Sequence, residues 1–241
     1  MAVIINIETS NTACSVALTA QGFILHHLEN LNGKNHAANL SDYIKAMLDF
    51  AAEKEIKIDA VAVSIGPGSY TGLRIGLSEA KGLAYGLNVP LIGVPTLPLM
   101  ATKVMFQETD ISENTIFVPM IDARRMEVYT AAYDIALQPV IQPAPLIIEQ
   151  QYNPYSSIIS SGKQILFFGD GMPKWRKYLQ DNAINISQAK FIENIEPLAV
   201  DMIALSEKNF AQQNFLDTAY STPLYLKDFQ ATKPKNKIIG G

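Results

Sequence analysis

Two short stretches end an apolar run on a carboxylate and follow it with a tight turn: NIETSN, with Glu8, and MIDARR, with Asp122. A third, GPGSYTG, sets Gly66, Gly68 and Ser69 between the apolar run AVAVSI and a segment of helical character, and a fourth, FFGDG, sets Gly169 and Gly171 behind another apolar run. Carboxylates at strand ends can hold Mg2+ against phosphate oxygens. Glycine loops that open a helix present unpaired amides to an anion. The chemistry on offer is that of a phosphate or Mg-nucleotide site, with Glu8, Thr9, Ser10, Gly66, Gly68, Ser69, Asp122, Gly169 and Gly171 as candidate residues. A turn with a purely structural role is the equal alternative for GPGSYTG, and ordinary hairpin turns are the alternative for ETSN and DARR.

Several other chemistries lack their residues. GPGSYTG is not a Walker A loop, because no Gly-Lys-Ser/Thr follows, and it is not GxGxxG, because Thr71 stands at the third glycine. A nucleophile elbow needs glycines two before and two after its serine, but Ser69 has Pro67 and Thr71 there. His26, His27 and His36 are the only histidines, and none opens an HExxH, since Ala37 follows His36. The single cysteine, Cys14, excludes an intramolecular disulfide and any multi-thiolate metal site, and its place in TACSVAL suits a buried core thiol. Zinc or iron is therefore not expected. The 241 residues, 48% apolar, suffice for one large domain or two small lobes. A net charge of -4 gives no overall footprint for nucleic acid, so any RNA contact is local or made through a partner. No signal peptide and no run of 18 apolar residues is present, which with the cysteine usage points to a cytoplasmic protein and no membrane.

The elements that must position these residues recur. VIINI and CSVALTA are strand-like runs about the ETSNT turn, FILHHLEN is a third strand, residues 38 to 54 have helical periodicity, AVAVSI is a buried strand, and a helix follows over about 71 to 86. The pattern begins again with TIFVPMI, DARR, MEVYTAAYDI, QILFFGDG and a helix from Pro173 to about Asp181. Two related α/β lobes would bring the turns after Glu8 and Asp122 face to face across a cleft, at strand ends where open sheets bind ligands. The reading places one lobe over 1–103 and a second over 104–226, whose last helix, about 197–213, packs back on the first. A basic tail, 227–241, carries Lys227, Lys233, Lys235 and Lys237. That tail is either a solvated end or a local contact for RNA phosphate.

The segments IETSNTACSVAL, SIGPGSYTGLRIGLSEAKGLAYGLNVPLIGVPTL and IDARRMEVY resemble the signature segments of the TsaB (YeaZ) family, bacterial proteins needed for threonylcarbamoyladenosine formation beside the tRNA anticodon. The likeness is firm to about Tyr129 and thin afterwards, apart from GDG and PLYLK. It implies the α/β, two-lobed actin-like, sugar kinase and Hsp70 (ASKHA) fold with duplicated RNase H-like lobes. It also implies a catalytic paralogue, TsaD, as partner, a TsaE-type ATPase joining the complex, TsaC-type enzymes supplying threonylcarbamoyl-adenylate, a homodimer when the chain is alone, and tRNA met through the complex. TsaD proteins carry two metal-binding histidines four residues apart after a Gly-x-Val stretch. In GVPTLPLM those positions hold Thr96 and Met100, which cannot replace imidazole, so this chain is expected not to be the transferase. Glu8 departs from the family's more usual aspartate. ATP with Mg2+ is expected to bind weakly or only within the complex. An ATP hydrolase using Glu8 and Asp122, or a glycoprotease-like peptidase, is the alternative class.

Helical arithmetic at about 100° per residue adds an expected partner surface. On the helix over 71 to 86, Leu73, Leu77, Ala80 and Ala84 form a core arc, while Gly72, Ile75, Glu79, Gly82 and Gly86 form a second seam. On the helix over 38 to 54, Leu40, Ile44, Met47, Leu48 and Ala51 suffice for the core, and Tyr43, Ala46 and Phe50 widen the apolar arc. A helix-on-helix interface and a core that wraps further round are the two readings of this excess.

Overall fold

Two five-stranded sheets with the same wiring organise the chain. The computed structural model describes residues 2–31, 36–148 and 153–227. The first sheet uses β1 (Val3–Glu8), β2 (Cys14–Ala20), β3 (Phe23–Asn30), β4 (Ala60–Gly66) and β5 (Leu91–Pro95), in the order β3-β2-β1-β4-β5. β1, β2 and β3 form an antiparallel meander, and β4 and β5 add in parallel through α1 (His36–Glu53) and α2 (Tyr70–Leu87). The second sheet repeats this with β6 (Thr115–Asp122), β7 (Glu127–Tyr133), β8 (Pro139–Ile147), β9 (Gln164–Phe168) and β10 (Ala189–Ile192), in the order β8-β7-β6-β9-β10. Its pairing senses match those of the first sheet strand for strand. The molecule therefore has the duplicated RNase H-like lobes of the actin, sugar kinase and Hsp70 superfamily. The short α4 (Ser156–Ser160) and the longer α5 (Met172–Asp181) belong to the second lobe.

The central strands form because their residues are β-branched or apolar on both faces. VIINIE of β1 is buried from Ile4 to Glu8, and AVAVSIG of β4 is buried at all positions but Ile65. Helix α2 starts where the Ser69 hydroxyl accepts from Gly72 N at 3.2 Å, and it stops at Asn88, which sits in the left-handed region at φ 52°. Its buried face carries Leu73, Leu77, Ala80 and Ala84, and that of α1 carries Leu40, Ile44, Met47 and Ala51. Each leucine, isoleucine or methionine among them contributes roughly 1.5–3 kcal/mol by leaving water.

Helix α3 (Thr96–Gln107) joins the lobes. Leu97, Met100, Ala101 and Val104 pack with Phe117, Ile121 and Phe168 of the second lobe, while Leu99 packs with Ile4, Val94 and Met202 on the first. The expected lobe boundary at 103/104 falls inside this helix, so a rigid shared element stands where a linker is the usual connection. The expected last helix over 197–213 is a 3-10 turn (Ala199–Met202) followed by α6 (Ile203–Ala211), and Met202 lies in the first lobe's core with Ala2, Ile4 and Ala62. The buried ion pair of Lys103 and Asp201, at 2.9 Å, ties α3 to this returning segment. Of the expected basic tail, Lys233, Lys235 and Lys237 lie outside the described residues. Among the described residues no helix is long and apolar enough to cross a membrane.

Candidate functional site

A cleft of about 690 Å3 opens between the lobes at the carboxyl ends of β1, β4 and β6. The first lobe lines it with Ser10–Thr12 and the loop 67–71, and the second with 121–125 and Asp170. The segment Leu224–Lys227 crosses its mouth. Leu224 N donates to Ile65 O at 2.7 Å on the first lobe, and Lys227 Nζ reaches the Glu127 carboxylate at 2.7 Å on the second. Gly66, at φ 109°, makes room for this strap: a Cβ there would meet Leu224 O at 2.7 Å.

The structure divides the candidate phosphate residues between the cleft and the wall behind it. Ser10, Gly68, Ser69 and Asp122 line the cleft. Ser69 N donates to Ser10 O at 2.6 Å, which locks the first turn to the glycine loop, and a Cβ on Gly68 would strike that same carbonyl at 2.2 Å. Ser10 is 1% exposed, and its hydroxyl has no hydrogen-bond partner. Glu8 and Thr9 are fully buried and are not among the lining residues. Thr9 Oγ1 donates to Gly72 O at 2.8 Å. The Glu8 carboxylate accepts from Ser10 N while its Oε2 has no partner, and burial pushes its pKa up to about 7. Neighbouring Cys14 is also buried, its thiol pushed up to about 11 by burial first and by Glu8 second. Gly169 and Gly171 shape the second loop from beneath. A Cβ on Gly169 would meet Met120 O at 2.3 Å, and one on Gly171 would meet Val128 Cγ1 at 2.8 Å.

Asp122 is occupied: Lys174 Nζ donates to it at 2.6 Å and Arg124 N at 2.6 Å, while Asp122 N donates to Asp170. The paired carboxylates expected to clamp Mg2+ are thus not presented together, because one is buried and the other neutralised by a lysine. Among the described residues no group of three or more His, Cys, Asp or Glu is placed to hold a metal ion. The cleft lining holds no histidine and no cysteine. Thr96 and Met100 lie one helical turn apart at the start of α3, both fully buried, with Met100 packed under Gly169.

The cleft also holds two arginines. Arg124 and Arg125 line it, exposed, at φ 67° and 50°. They are the only consecutive non-glycine residues in the left-handed region among the described residues, a conformation that costs about 1–2 kcal/mol per residue. Beside them Tyr70 and Tyr225 meet with ring centroids 5.3 Å apart, the Arg74 guanidinium lies 4.1 Å over the Tyr70 ring, and Arg74 Nε donates to Tyr225 Oη at 3.0 Å. Sequence reasoning took DARR only as a turn. Two arginines in succession at a hairpin tip, where Asn or Gly is favoured, were the signal available.

The expected partner seam also divides. Gly72 departs from it: the residue is buried because a Cβ would meet Thr9 O at 2.1 Å, so packing inside the lobe accounts for it. Gly76 has the same reason, with Thr9 Oγ1 at 2.1 Å from its Cβ. Gly82 and Gly86 are exposed, and a Cβ on either meets nothing within 4 Å. Ile75 and Glu79 are half-buried beside them, and Glu79 accepts from Ser41 of α1 at 3.2 Å. Tyr43, Ala46 and Phe50 are half-buried on α1 and pack on the first lobe's core, Phe50 stacking on His26 at 5.0 Å. Tyr85, 84% exposed, adds an aromatic to the same outward side of α2.

Comparison with known proteins supplies the context. The sequence profile described as "TsaD: tRNA N6-adenosine threonylcarbamoyltransferase" matches residues 30–235. Over nearly its whole length, however, the chain is similar to proteins of the other name. It is 29% identical to the tRNA threonylcarbamoyladenosine biosynthesis protein TsaB of Escherichia coli (strain K12), covering 95% of this chain and 96% of that one. It is 30% identical to the protein of that name from Haemophilus influenzae, covering 92% of each. The solved structure "YeaZ from Pseudomonas aeruginosa" superposes with a TM-score of 0.73 at 25% identity, covering 94% of this chain and 100% of that one. The profile links the chain to the wider group that includes the transferase. The length, the duplicated lobes and the end-to-end relatives agree on one branch, and the chain belongs to the TsaB (YeaZ) family.

Proposed function

We propose that this chain is a non-catalytic subunit in tRNA threonylcarbamoyladenosine formation, which binds and stabilises the catalytic TsaD-type paralogue through the outward side of α1 and α2. The observation that carries the reading is the pair Gly82 and Gly86, open to solvent in the last two turns of α2. A glycine in a helix interior costs about 1 kcal/mol relative to alanine, and at Gly82 nothing among the described residues requires it. Close approach of another helix does, since small residues let two helix backbones come near. The half-buried Ile75, Tyr43, Ala46 and Phe50 and the exposed Tyr85 flank this strip and supply apolar area for a partner. The same strip serves a homodimer when the paralogue is absent, so the two assemblies compete. A TsaE-type ATPase joins the paralogue complex.

The cleft supports the non-catalytic part of the reading. Its amides and arginines suit phosphate oxygens, but of the two strand-end carboxylates Glu8 is buried behind it and Asp122 is held by Lys174. Nucleotide bound there would be held weakly and not turned over.

Gly82→Arg and Gly86→Arg test the interface without touching the core. Calorimetry against the paralogue should show at least a tenfold loss of affinity, about 1.4 kcal/mol, with a monomer melting temperature no lower than that of the parent chain, since arginine is the better helix former. Normal affinity in both variants refutes the surface. Steady ATP hydrolysis by the isolated chain, lost in Asp122→Asn, refutes the non-catalytic role.

A further inference from the structure

The chain contains four arginines in 241 residues, and they are not spread. Arg124 and Arg125 line the cleft between the lobes, and Arg74 stands at its mouth against Tyr70 and Tyr225. Among the described residues only the fourth, Arg176, is paired with a carboxylate, Glu193. Among the described residues Arg74, Arg124 and Arg125 have no carboxylate within ion-pair distance, although Asp122, Glu127 and Asp170 line the same cleft. Those acids are engaged elsewhere: Asp122 with Lys174, Glu127 with Lys227, and Asp170 with Asp122 N. In a protein of net charge -4, three guanidinium groups without an ion-pair partner among the described residues thus gather at one opening beside two tyrosine rings.

We infer that this rim is a binding site for the phosphodiester backbone of a single-stranded or loop segment of RNA, with Tyr70 and Tyr225 as a stacking platform for its bases. Guanidinium groups bind phosphate oxygens in bidentate geometry, and aromatic rings beside them are the usual support for unpaired bases. A lone nucleotide would need its phosphates deep in the cleft, whereas Arg74 and Tyr225 lie at the mouth, on opposite partners: one on α2 and one on the strap. Cations and rings strung along an opening suit an extended strand. The inference rests on the proposed role in tRNA modification. It places a direct RNA contact on this chain, at the arginine rim and not in the lysine-bearing tail.

The test uses the full isolated chain and a fluorescein-labelled single-stranded oligoribonucleotide about 15 nucleotides long, followed by fluorescence anisotropy across a salt series. Three neutralised phosphates predict a slope of log K against log salt of about -2, hence about a 20-fold loss of affinity between roughly 50 and 200 mM salt. Arg124→Gln with Arg125→Gln should weaken binding at least tenfold and bring the slope to about -0.7, and Arg74→Gln should remove about 0.7 from it. Arg124→Asn with Arg125→Gly, residues that suit the left-handed turn, should lose binding equally while melting no lower than the parent chain. Tyr225→Ala should weaken binding about fivefold or more and leave the slope unchanged, because it removes stacking and no charge. Binding that is absent at about 50 mM salt overturns the inference, as does binding that survives the arginine changes but is lost in Lys233→Gln, Lys235→Gln, Lys237→Gln. Arginine-dependent binding of Mg-ATP with no binding of the oligonucleotide also overturns it and returns the rim to a nucleotide. None of these readings involves the paralogue, so failure here and failure of the α1/α2 interface are told apart.

Discussion

Glu8 sits on the most central strand with no exposed surface, and its replacement by glutamine offers a quantitative check on the architecture behind the cleft. Burial raises its carboxyl from 4.5 to about 7, whereas in the unfolded chain it titrates near the ordinary value. The folded state therefore prefers the protonated form. Any stability held by the neutral carboxyl is complete below about pH 4.5 and is lost as the pH rises through 7. A shift of 2.5 units at 1.36 kcal/mol each sets the limit at about 3 kcal/mol above pH 8. Glu8→Gln keeps the acceptor for Ser10 N and removes the charge. Relative to the parent chain, the variant should gain roughly 2–3 kcal/mol between pH 5 and pH 8.5, which for a chain of this size is about 5–10 °C in melting temperature. Thermal melts of both proteins by circular dichroism across that range measure it. A difference in melting temperature that does not change with pH would refute the reasoning, since it would mean that Glu8 is ionised in the folded chain throughout.

Two further outcomes follow from contacts inside the molecule. Gly76→Ala should destabilise the chain by about 2 kcal/mol or more, because its Cβ would sit 2.1 Å from Thr9 Oγ1, whereas Gly82→Ala on the same helix should stabilise it by about 1 kcal/mol; urea denaturation of the two side by side checks both signs. Lys103→Met should cost about 3 kcal/mol by leaving Asp201 buried without its cation and Glu196 O without its donor, and a loss below about 1 kcal/mol in the same assay would show that the ion pair does not fasten the returning segment to α3.

The elements that sequence revealed were those whose pattern has one meaning. The β1–β2 and β6–β7 hairpins, the core arcs of α1 and α2 and the repeated strand, loop and helix order all follow from periodicity and turn residues. Helix α3 was not legible, because it buries faces against both lobes and so shows no polar stripe to mark its period. Strand β8 was hidden by Pro139, Pro143 and Pro145, which read as loop but are tolerated on an edge strand. In the site, spacing gave the glycine loops and the two carboxylates, yet it could not tell that the Glu8 side chain turns into the wall while Ser10 reaches the cleft. Nor could it separate Gly72 and Gly76, small because Thr9 lies against them, from Gly82 and Gly86, which meet nothing. Those distinctions depend on neighbours more than 60 positions away in the chain.

Because the 3-10 turn, α6 and Leu216 all return to the first lobe, that lobe is assembled from segments on either side of the second in sequence, while the strands of the second lobe come from one uninterrupted stretch, Thr115–Ile192. On a translating ribosome the second lobe can close as soon as β10 has emerged, but the first must wait, with β5 lacking its Leu216 bridge and the strip around Ile4 and Ile92 lacking Met202. The nascent chain thus holds a finished half and an open one, and the later segment carrying Met202 and Leu216 latches the earlier half shut. A premature stop after Ile192 and before Met202 would release a product whose later lobe is folded and whose earlier lobe exposes its core.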